Sequence, residues 1–219
     1  MTQFELAQML DVTLVRNNNT IKEIDDLIKN AKQYDFACVF TLQCYLQHVH
    51  DALLNDTTHA GGVIGFPSGG ELTEVKLFET HSNIASGADE LDMVINIGWL
   101  LSRNYDAVLD EIKRIKDIAQ EKPLKCIIEI SCLDEYFAKK ACELVLKSGA
   151  DYVKTGTGWF GPATIEQIKL IKSVVGSDIY IKAAGGIRDL ETVERFKAEG
   201  VHRMGISLKS AIDIMSQVN

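Results

Sequence analysis

The stretch KCIIEISCLDEYFAKKACELVLKSGADYVKTG, residues 125–156, has the pattern of a strand, a helix and a second strand. Residues 125–131 and 151–156 are short apolar runs of strand length, and an amphipathic segment over 134–149 separates them. Gly149 ends that segment, where helices often place a glycine cap. Because two strands joined by a crossover helix run parallel, this stretch predicts a parallel sheet covered by helices.

The same alternation continues along the whole chain without a linker or a low-complexity segment. Strand-length apolar runs occupy 10–15, 36–41, 61–66, 90–96, 125–131, 151–156, 179–185 and 202–207. Segments of helical period cover 21–34, 71–87, 105–120, 134–149, 164–176 and 190–200. Eight such units predict an α/β fold, a single (β/α)8 TIM barrel of parallel strands that forms one catalytic domain over residues 1–219. An open doubly wound sheet is the alternative.

Composition and charge narrow the classes of function. The chain has 219 residues, of which 46% are hydrophobic and 25% charged, and its net charge is -8. This acidic balance argues against a nucleic-acid-binding surface, and it requires any anionic ligand to be held by local groups. No signal-peptide pattern and no run of about 18 apolar residues occurs, so we expect a cytoplasmic protein that does not bind membranes. The five cysteines form no C-x-x-C pair, and we expect Cys38 and Cys126 to be buried, reduced thiols.

Four neighbouring strands each carry a charged residue on the same face. Side chains alternate between the two faces of a strand, which places Asp92, Lys125, Lys154 and Lys182 together, opposite mainly apolar neighbours. In a barrel the apolar face packs against the helices. The charged face therefore points inward, towards the active-site end at the carboxyl termini of the strands.

Lys154 and Lys182 form a pair with a specific chemical use. A single strand lysine is more often an edge residue or one whose stem lies along apolar surface, but a closed barrel has no edges. A lysine amine attacks a carbonyl only when neutral, and both burial and a second ammonium group lower its pKa. Asp92 could move protons to and from the adduct. The set predicts Schiff-base chemistry, either aldol cleavage or condensation, or decarboxylation.

Two glycine-bearing loops follow the seventh and eighth strands, where (β/α)8 enzymes often bind phosphate. Gly185 and Gly186 precede one helix, and Gly205 and Ser207 precede the next. Their backbone N–H groups could approach an anion closely, although tight turns are the alternative. Arg188 is a candidate charge partner, but we expect it to be an ordinary exposed helix residue.

Gly156, Gly158 and Gly161 match the spacing of a dinucleotide-binding loop, which would indicate a nicotinamide-dependent oxidoreductase. Lys154 occupies the strand end where the pyrophosphate turn needs close packing, and Pro162 lengthens the loop before the next helix. We therefore expect these glycines to make room for a substrate beside Lys154.

Several motifs together resemble the deoxyribose-phosphate aldolases, a family of class I aldolases on (β/α)8 barrels. The matching stretches, in chain order, are LDVTLV, VIGFPSGGELTEVKLFE, GADELDMVINIG, KCIIEI, GADYVKTGTG, IKAAGGIR and MGIS. The resemblance implies reversible cleavage of 2-deoxy-D-ribose 5-phosphate to acetaldehyde and D-glyceraldehyde 3-phosphate. It implies no metal and no cofactor, a small phosphorylated sugar as substrate, and a homodimer or larger homo-oligomer.

The resemblance also implies a role for individual residues. Lys154 matches the Schiff-base lysine, Lys182 the second lysine that keeps the first deprotonated, and Asp92 the proton-relay aspartate. Asp11 matches a supporting aspartate near the second lysine. The substrate- and phosphate-binding positions are Gly158, Gly185, Gly186, Gly205 and Ser207.

Some positions depart from the family pattern and leave the substrate range open. They are Phe40 and Thr41 at the end of the second strand, Gly156 where serine is usual, Leu208 after the phosphate-loop serine, and residues 130–132. Another short phosphorylated sugar, or a sugar-phosphate-binding barrel without catalysis, remain alternative interpretations. Cys38 lies in a strand near the predicted site, and we expect its thiol to be inert.

Overall fold

The computed structural model describes residues 1–218, and its eight parallel strands close into a barrel. Each strand pairs with its sequence neighbours, and β1 also pairs with β8, which closes the ring. The strands are β1 (Leu10–Leu14), β2 (Cys38–Thr41), β3 (His59–Ile64), β4 (Glu90–Val94), β5 (Leu124–Ile127), β6 (Tyr152–Lys154), β7 (Tyr180–Ala184) and β8 (Arg203–Ser207). The predicted barrel is confirmed, and the open doubly wound sheet is wrong.

At least one helix follows every strand and covers the outside of the barrel. The helices are α1 (Gln3–Ala7), α2 (Ile21–Tyr34), α3 (Gln43–Leu53), α4 (Thr73–Ala85), α5 (Ile97–Leu101), α6 (Tyr105–Ala119), α7 (Glu135–Ser148), α8 (Ile165–Val175), α9 (Leu190–Ala198) and α10 (Leu208–Met215). Thr20 and Glu23 form a reciprocal capping box at the start of α2, which satisfies two backbone donors at that helix end. No helix within residues 1–218 has both the length and the apolar composition needed to cross a bilayer.

The two faces of the strands have different environments. Leu91, Met93, Val153 and similar residues are fully buried in the large core between the barrel and the helices. The inside of the barrel holds a small apolar cluster of Cys38, Phe40 and Val63 beside buried charged residues. The expected inward face of charged side chains is confirmed.

The structure corrects several predicted boundaries. α1, α3, α5 and α10 lie outside the predicted helical segments. β5 ends at Ile127 instead of 131, because Glu129 adopts a left-handed conformation (φ 44°) and a 3-10 turn over Ile130–Cys132 follows it. The backbone therefore turns out of the strand ladder at the mouth of the barrel, where it contacts the loop after β6.

Candidate active site

A cavity of about 370 Å³ opens at the carboxyl ends of the strands. The carboxyl ends of the strands, the loops after β1, β3, β6 and β7 and the first turn of α10 form its wall, and Lys154 and Asp92 lie at its base. The other lining residues include Arg16, Phe40, Phe66, Thr157, Gly158, Trp159, Gly185, Gly186, Arg188, Gly205, Ser207 and Ser210. The predicted catalytic end of the barrel is thus a single concave site.

Lys154 is the last residue of β6 and the amine that the cavity reaches. Its side chain is 6% exposed, and its Nζ donates a hydrogen bond of 2.6 Å to Asp92 Oδ2. Burial lowers the pKa of Lys154 to about 8, although Asp92 opposes the shift, and the nearby ammonium group of Lys182 lowers the pKa further. About a tenth of this amine is therefore neutral at pH 7, far more than for an ordinary lysine, and the neutral form is the one a nucleophile requires.

Lys182 lies beside Lys154 in the barrel but does not reach the cavity wall. The two lysines are register partners on β6 and β7. Lys182 is fully buried, and its Nζ lies 2.6 Å from Asp92 Oδ2 and 2.5 Å from Asp11 Oδ2. Both Nζ atoms contact the same oxygen of Asp92, so they cannot be farther apart than twice 2.6 Å. At such a distance two buried ammonium groups repel each other.

Asp92, on β4, contacts both lysines, and its side chain is almost completely buried. Burial alone would raise its pKa, but the ammonium groups of Lys154, Lys182 and Lys125 outweigh that effect and hold the pKa of Asp92 well below its usual range. This carboxylate stays ionised, lines the cavity, and lies within hydrogen-bond distance of the amine. It can therefore pass protons between Lys154 and a bound substrate.

Asp11 lies deeper, at the centre of the barrel, and does not line the cavity. It contacts Lys182 and accepts a hydrogen bond of 2.7 Å from Nε of Arg203. Burial would raise its pKa, but Lys125, Lys182 and Arg203 hold the pKa of Asp11 well below its usual range. Its position suits a supporting group for Lys182 and not one that touches substrate.

The five positions predicted to bind substrate and phosphate all line the same cavity as Lys154. Gly185 and Gly186 have positive φ angles of 101° and 75°. A Cβ on Gly185 would lie 2.6 Å from the carbonyl oxygen of Gly161, and one on Gly186 would lie 2.6 Å from Cβ of Pro162. Both positions therefore require glycine, because the loop after β7 packs directly against the loop after β6.

Ser207 is the N-terminal cap of α10, and the first turn of this helix faces the cavity. The Ser207 hydroxyl accepts a hydrogen bond of 3.2 Å from the backbone N–H of Ser210, and both serines line the site. A helix N-terminus with free N–H groups and hydroxyls suits an anion. With Gly185 and Gly186 it forms a cradle, here called the anion cradle, on one side of the mouth.

Two arginines line the cavity beside this cradle. Arg188 is exposed, as expected, but it lies in the loop before α9 and not in a helix, and it lines the site. The sequence analysis missed Arg16, whose guanidinium lies 5.1 Å from the ring centroid of Trp159, which also packs edge-on against Phe66. Arg16 follows β1 directly, and its place at the carboxyl end of a strand was the signal that could have identified it.

Two of the three glycines after Lys154 have a different role from the one predicted. Of the three, only Gly158 lines the cavity. A Cβ on Gly156 would lie 2.5 Å from Oε1 of Glu129, and one on Gly161 would lie 2.8 Å from Oγ of Ser131. Gly156 and Gly161 thus allow the loop after β6 to pack against the segment after β5 and do not make room for substrate.

The Glu129 carboxylate organises this loop. Its Oε2 accepts hydrogen bonds from the backbone N–H of Thr157 at 2.9 Å and from the Thr157 hydroxyl at 2.6 Å. Glycine at 156, where the resembling family usually has serine, leaves room for this carboxylate. The departure at this position therefore changes the local packing. The Glu129 carboxylate occupies the space that a serine side chain at position 156 would need, two residues after Lys154.

Comparison with known proteins identifies the family to which this chain belongs. A family model described as DeoC/LacD family aldolase matches residues 5–208, which include all eight strands. This chain belongs to the DeoC/LacD aldolase family. Its members are lyases, and the chain is an aldolase on the barrel that the family uses.

Relatives of this aldolase match it over most of their length. The chain is 43% identical over 214 residues to a deoxyribose-phosphate aldolase of Clostridium perfringens. The match covers 97% of this chain and 96% of that one. It is 41% identical over 203 residues to one of Streptococcus equi subsp. zooepidemicus, covering 92% of each.

Solved structures of similar proteins have the same barrel. A putative deoxyribose-phosphate aldolase from Coccidioides immitis superposes with a TM-score of 0.94 at 33% identity, over 99% of this chain and 87% of that one. A deoxyribose phosphate aldolase from Aeropyrum pernix, described as tetrameric, superposes with a TM-score of 0.90 at 27% identity, over 99% of this chain and 92% of that one.

The Cys38 thiol, which lies near the site of this aldolase, is fully buried and does not line the cavity. Burial raises the pKa of Cys38 well above its usual value, and the neighbouring carboxylates of Glu90 and Asp11 raise it further. A thiol reacts as its thiolate, so Cys38 has the character of an inert core residue, as expected. Cys126 is also a buried free thiol, which confirms that prediction.

Proposed function

We propose that this aldolase reversibly cleaves 2-deoxy-D-ribose 5-phosphate to acetaldehyde and D-glyceraldehyde 3-phosphate through a Schiff base on Lys154. The observation that carries the proposal is an amine with a pKa of about 8 at the base of a cavity whose rim is an anion cradle. Two relatives named deoxyribose-phosphate aldolase, at 43% and 41% identity, support the choice of sugar.

The first half of the reaction uses Lys154 and Asp92. The neutral amine attacks the C1 aldehyde of the open-chain sugar, and Asp92 moves the protons that allow the carbinolamine to lose water. The resulting iminium attracts the electrons of the C2–C3 bond. As the proton of the C3 hydroxyl leaves to the Asp92 relay, this bond breaks, and C3 departs as the aldehyde of glyceraldehyde 3-phosphate.

The second half returns the enzyme to its starting state. The enamine left on Lys154 takes a proton at C2, and one water molecule hydrolyses the acetaldehyde iminium. The water lost on Schiff-base formation equals the water used here, and no oxidant or reductant enters the balance. The proposal therefore includes no metal and no cofactor.

The anion cradle and the two arginines are proposed to hold the 5-phosphate. The chain has a net charge of -8, so attraction of a phosphate depends on local cations. Arg16 and Arg188 line the cavity, and within residues 1–218 neither forms an ion pair with a carboxylate. Lys154 at the base and the phosphate grip at the rim would then fix the sugar at both ends.

We propose further that the chain acts as one catalytic domain over residues 1–219 and forms a homo-oligomer in the cytoplasm. The tetrameric description of the Aeropyrum pernix structure supports an oligomer. Leu72 and Phe78, both 72% exposed, provide apolar surface beside the start of α4 and on that helix. Exposed apolar side chains of this size are typical of protein–protein contacts.

The pH dependence of kcat/KM should follow the ionisation of Lys154. Because the protonated amine cannot attack, the neutral fraction falls about tenfold for each pH unit below its pKa of about 8. We expect kcat/KM to rise about tenfold between pH 6 and pH 7 and to level off above about pH 8. A profile that stays flat between these values would contradict a lysine nucleophile with this pKa.

Loss of either rim arginine should weaken recognition of the phosphate only. We expect Arg16→Gln and Arg188→Gln each to raise KM for the phosphorylated sugar about tenfold and to leave kcat/KM for unphosphorylated 2-deoxyribose unchanged. Lys113→Gln removes the same charge from an exposed residue of α6 that does not line the cavity, and it is the matched control. Equal losses with both sugars would show that the arginines do not grip phosphate.

Acetaldehyde release from 2-deoxyribose 5-phosphate, followed with a coupled NADH-consuming dehydrogenase, tests the proposed function. Turnover with a kcat/KM above 10⁴ M⁻¹s⁻¹, the lower end of the usual enzyme range, is expected. A higher kcat/KM with another short phosphorylated sugar would replace the substrate. Binding of the sugar phosphate without turnover or covalent labelling would instead favour a binding protein.

A further inference from the structure

Lys125 is a third buried lysine of the barrel, and the reaction proposed above does not use it. It lies on β5, is fully buried, and does not line the cavity. Its Nζ donates a hydrogen bond to Oε2 of Glu90, and it lies 3.5 Å from Asp11 Oδ2 and 3.6 Å from Asp92 Oδ1. A lysine held among three carboxylates inside a barrel needs a reason, because burying its charge is costly.

The charges of the ion-pair network around Lys125 do not balance when every group is ionised. The network consists of four cations and three carboxylates, which are Lys125, Lys154, Lys182 and Arg203, and Asp11, Glu90 and Asp92. When every group is ionised, the network therefore carries one more positive charge than negative charge, which corresponds to one proton more than neutrality requires. Since an uncompensated buried charge is unfavourable, one of the three lysines should give up its proton most readily.

The contacts identify which lysine that is. Lys154 contacts one carboxylate, Asp92, whereas Lys182 contacts two, Asp11 and Asp92. Lys125 contacts all three carboxylates of the network. Lys154 is thus the least strongly held of the three ammonium groups, and it is the one that faces the cavity.

We propose that Lys125 is a positioning residue for the aldolase reaction: its ammonium group neutralises the carboxylates of the barrel, which leaves Lys154 as the surplus cation that gives up its proton. The inference rests on the proposed function, since it assumes that a neutral Lys154 is the nucleophile. Lys125 acts through Asp11, Glu90 and Asp92 and does not contact the substrate.

Lys125 also affects Asp92 directly. Oδ2 of Asp92 accepts from both Lys154 and Lys182, whereas Oδ1 is buried and accepts no hydrogen bond from residues 1–218. The ammonium group of Lys125 lies 3.6 Å from this Oδ1. Its charge helps to keep Asp92 ionised, in the form that relays protons.

Other titratable groups face this network from the remaining strands. Burial raises the pKa of the Cys38 thiol on β2 and of the Tyr152 phenol on β6, so both stay neutral near pH 7. His59 on β3 lies at the opposite end of the barrel, with Nδ1 3.1 Å from Glu90 Oε1, and this hydrogen bond raises its pKa. Its side chain is 56% exposed, so solvent screens its charge.

The test is the titration of the Lys154 amine, measured independently of turnover. Methyl acetimidate is a small reagent for neutral amines, and peptide mass spectrometry can compare its reaction at Lys154 with that at exposed Lys209 across pH. Lys125→Met should move the midpoint for Lys154 upward by about one pH unit. Labelling and kcat/KM at pH 7 should both fall about tenfold and recover at higher pH.

Two further variants separate a charge effect from structural damage. Lys125→Met with Glu90→Gln removes one charge of each sign, which should restore the wild-type midpoint and also avoids leaving Glu90 without its partner. Glu90→Gln alone should lower the midpoint below that of wild type. If Lys125→Met does not fold, the comparison between Glu90→Gln and the double variant decides the question.

Lys76→Met is the matched control. Lys76 is equally buried and donates to Glu111 Oε2 at 2.8 Å, but it lies between α4 and α6, outside the barrel interior. This variant should be less stable without a change in the Lys154 midpoint. A wild-type midpoint in Lys125→Met, or the same midpoint in Glu90→Gln and the double variant, would overturn the inference. Midpoints that shift as expected in a protein without aldolase turnover would refute the proposed function alone.

Discussion

Lys154→Met is expected to abolish cleavage of 2-deoxyribose 5-phosphate while the barrel stays folded. The loss in kcat should be at least about 10⁴-fold, because without the amine no covalent intermediate can form. No other lysine can replace it, since Lys182 does not reach the cavity and its ammonium group contacts two carboxylates. Acetaldehyde release measures the loss.

Stability should change little in this variant. Methionine has nearly the volume of lysine, and Asp92 keeps Lys182 and Lys125 as neighbouring cations. Circular dichroism and the thermal midpoint should therefore resemble those of the wild type. The surface variant Lys139→Met, which removes an exposed partner of Glu135, controls for loss of a lysine charge. Turnover by Lys154→Met within tenfold of the wild-type rate would refute the assignment of the nucleophile.

Lys182→Leu has the second-largest expected effect, a fall in kcat/KM of about 100-fold at pH 7. Removal of this ammonium group ends its repulsion of Lys154 and leaves Asp92 to pair more strongly with the nucleophile. Both changes raise the pKa of Lys154, and a rise of about two units reduces the neutral fraction about 100-fold.

The pH profile distinguishes this cause from general damage to the site. The acid limb of kcat/KM should move to higher pH in Lys182→Leu, and part of the activity should return above about pH 9. Lys182→Arg keeps the charge and should keep the acid limb near its wild-type position. A uniform loss at every pH would show that Lys182 acts through structure and not through the pKa of Lys154.

The sequence was sufficient to predict the barrel and the residues at the base of its site. Alternation along a strand is a local property, so the side of the sheet that carries Asp92, Lys154 and Lys182 could be predicted once helices were known to cover the other side. The positions of the anion cradle were also predicted to line the site, because loops after the last two strands of such a barrel often bind phosphate.

The charge network could not be predicted in the same way. Arg203 meets Asp11 across 192 residues, and Lys125 meets Glu90 across 35, so both contacts depend on the closure of the ring and the register of its strands. The role of Gly156 depends on the left-handed backbone of Glu129, and no residue pattern indicates that conformation. The contact between Arg16 and Trp159 likewise depends on the closed barrel, because Trp159 comes from a loop across the mouth.

Borohydride trapping tests the central claim most directly. The protein is incubated with 2-deoxyribose 5-phosphate, reduced with sodium borohydride, digested, and searched by mass spectrometry for a modified lysine peptide. The account predicts one reduced adduct, on Lys154, that is absent from Lys154→Met. No adduct with either this sugar or acetaldehyde, or an adduct on Lys182 instead, would contradict it.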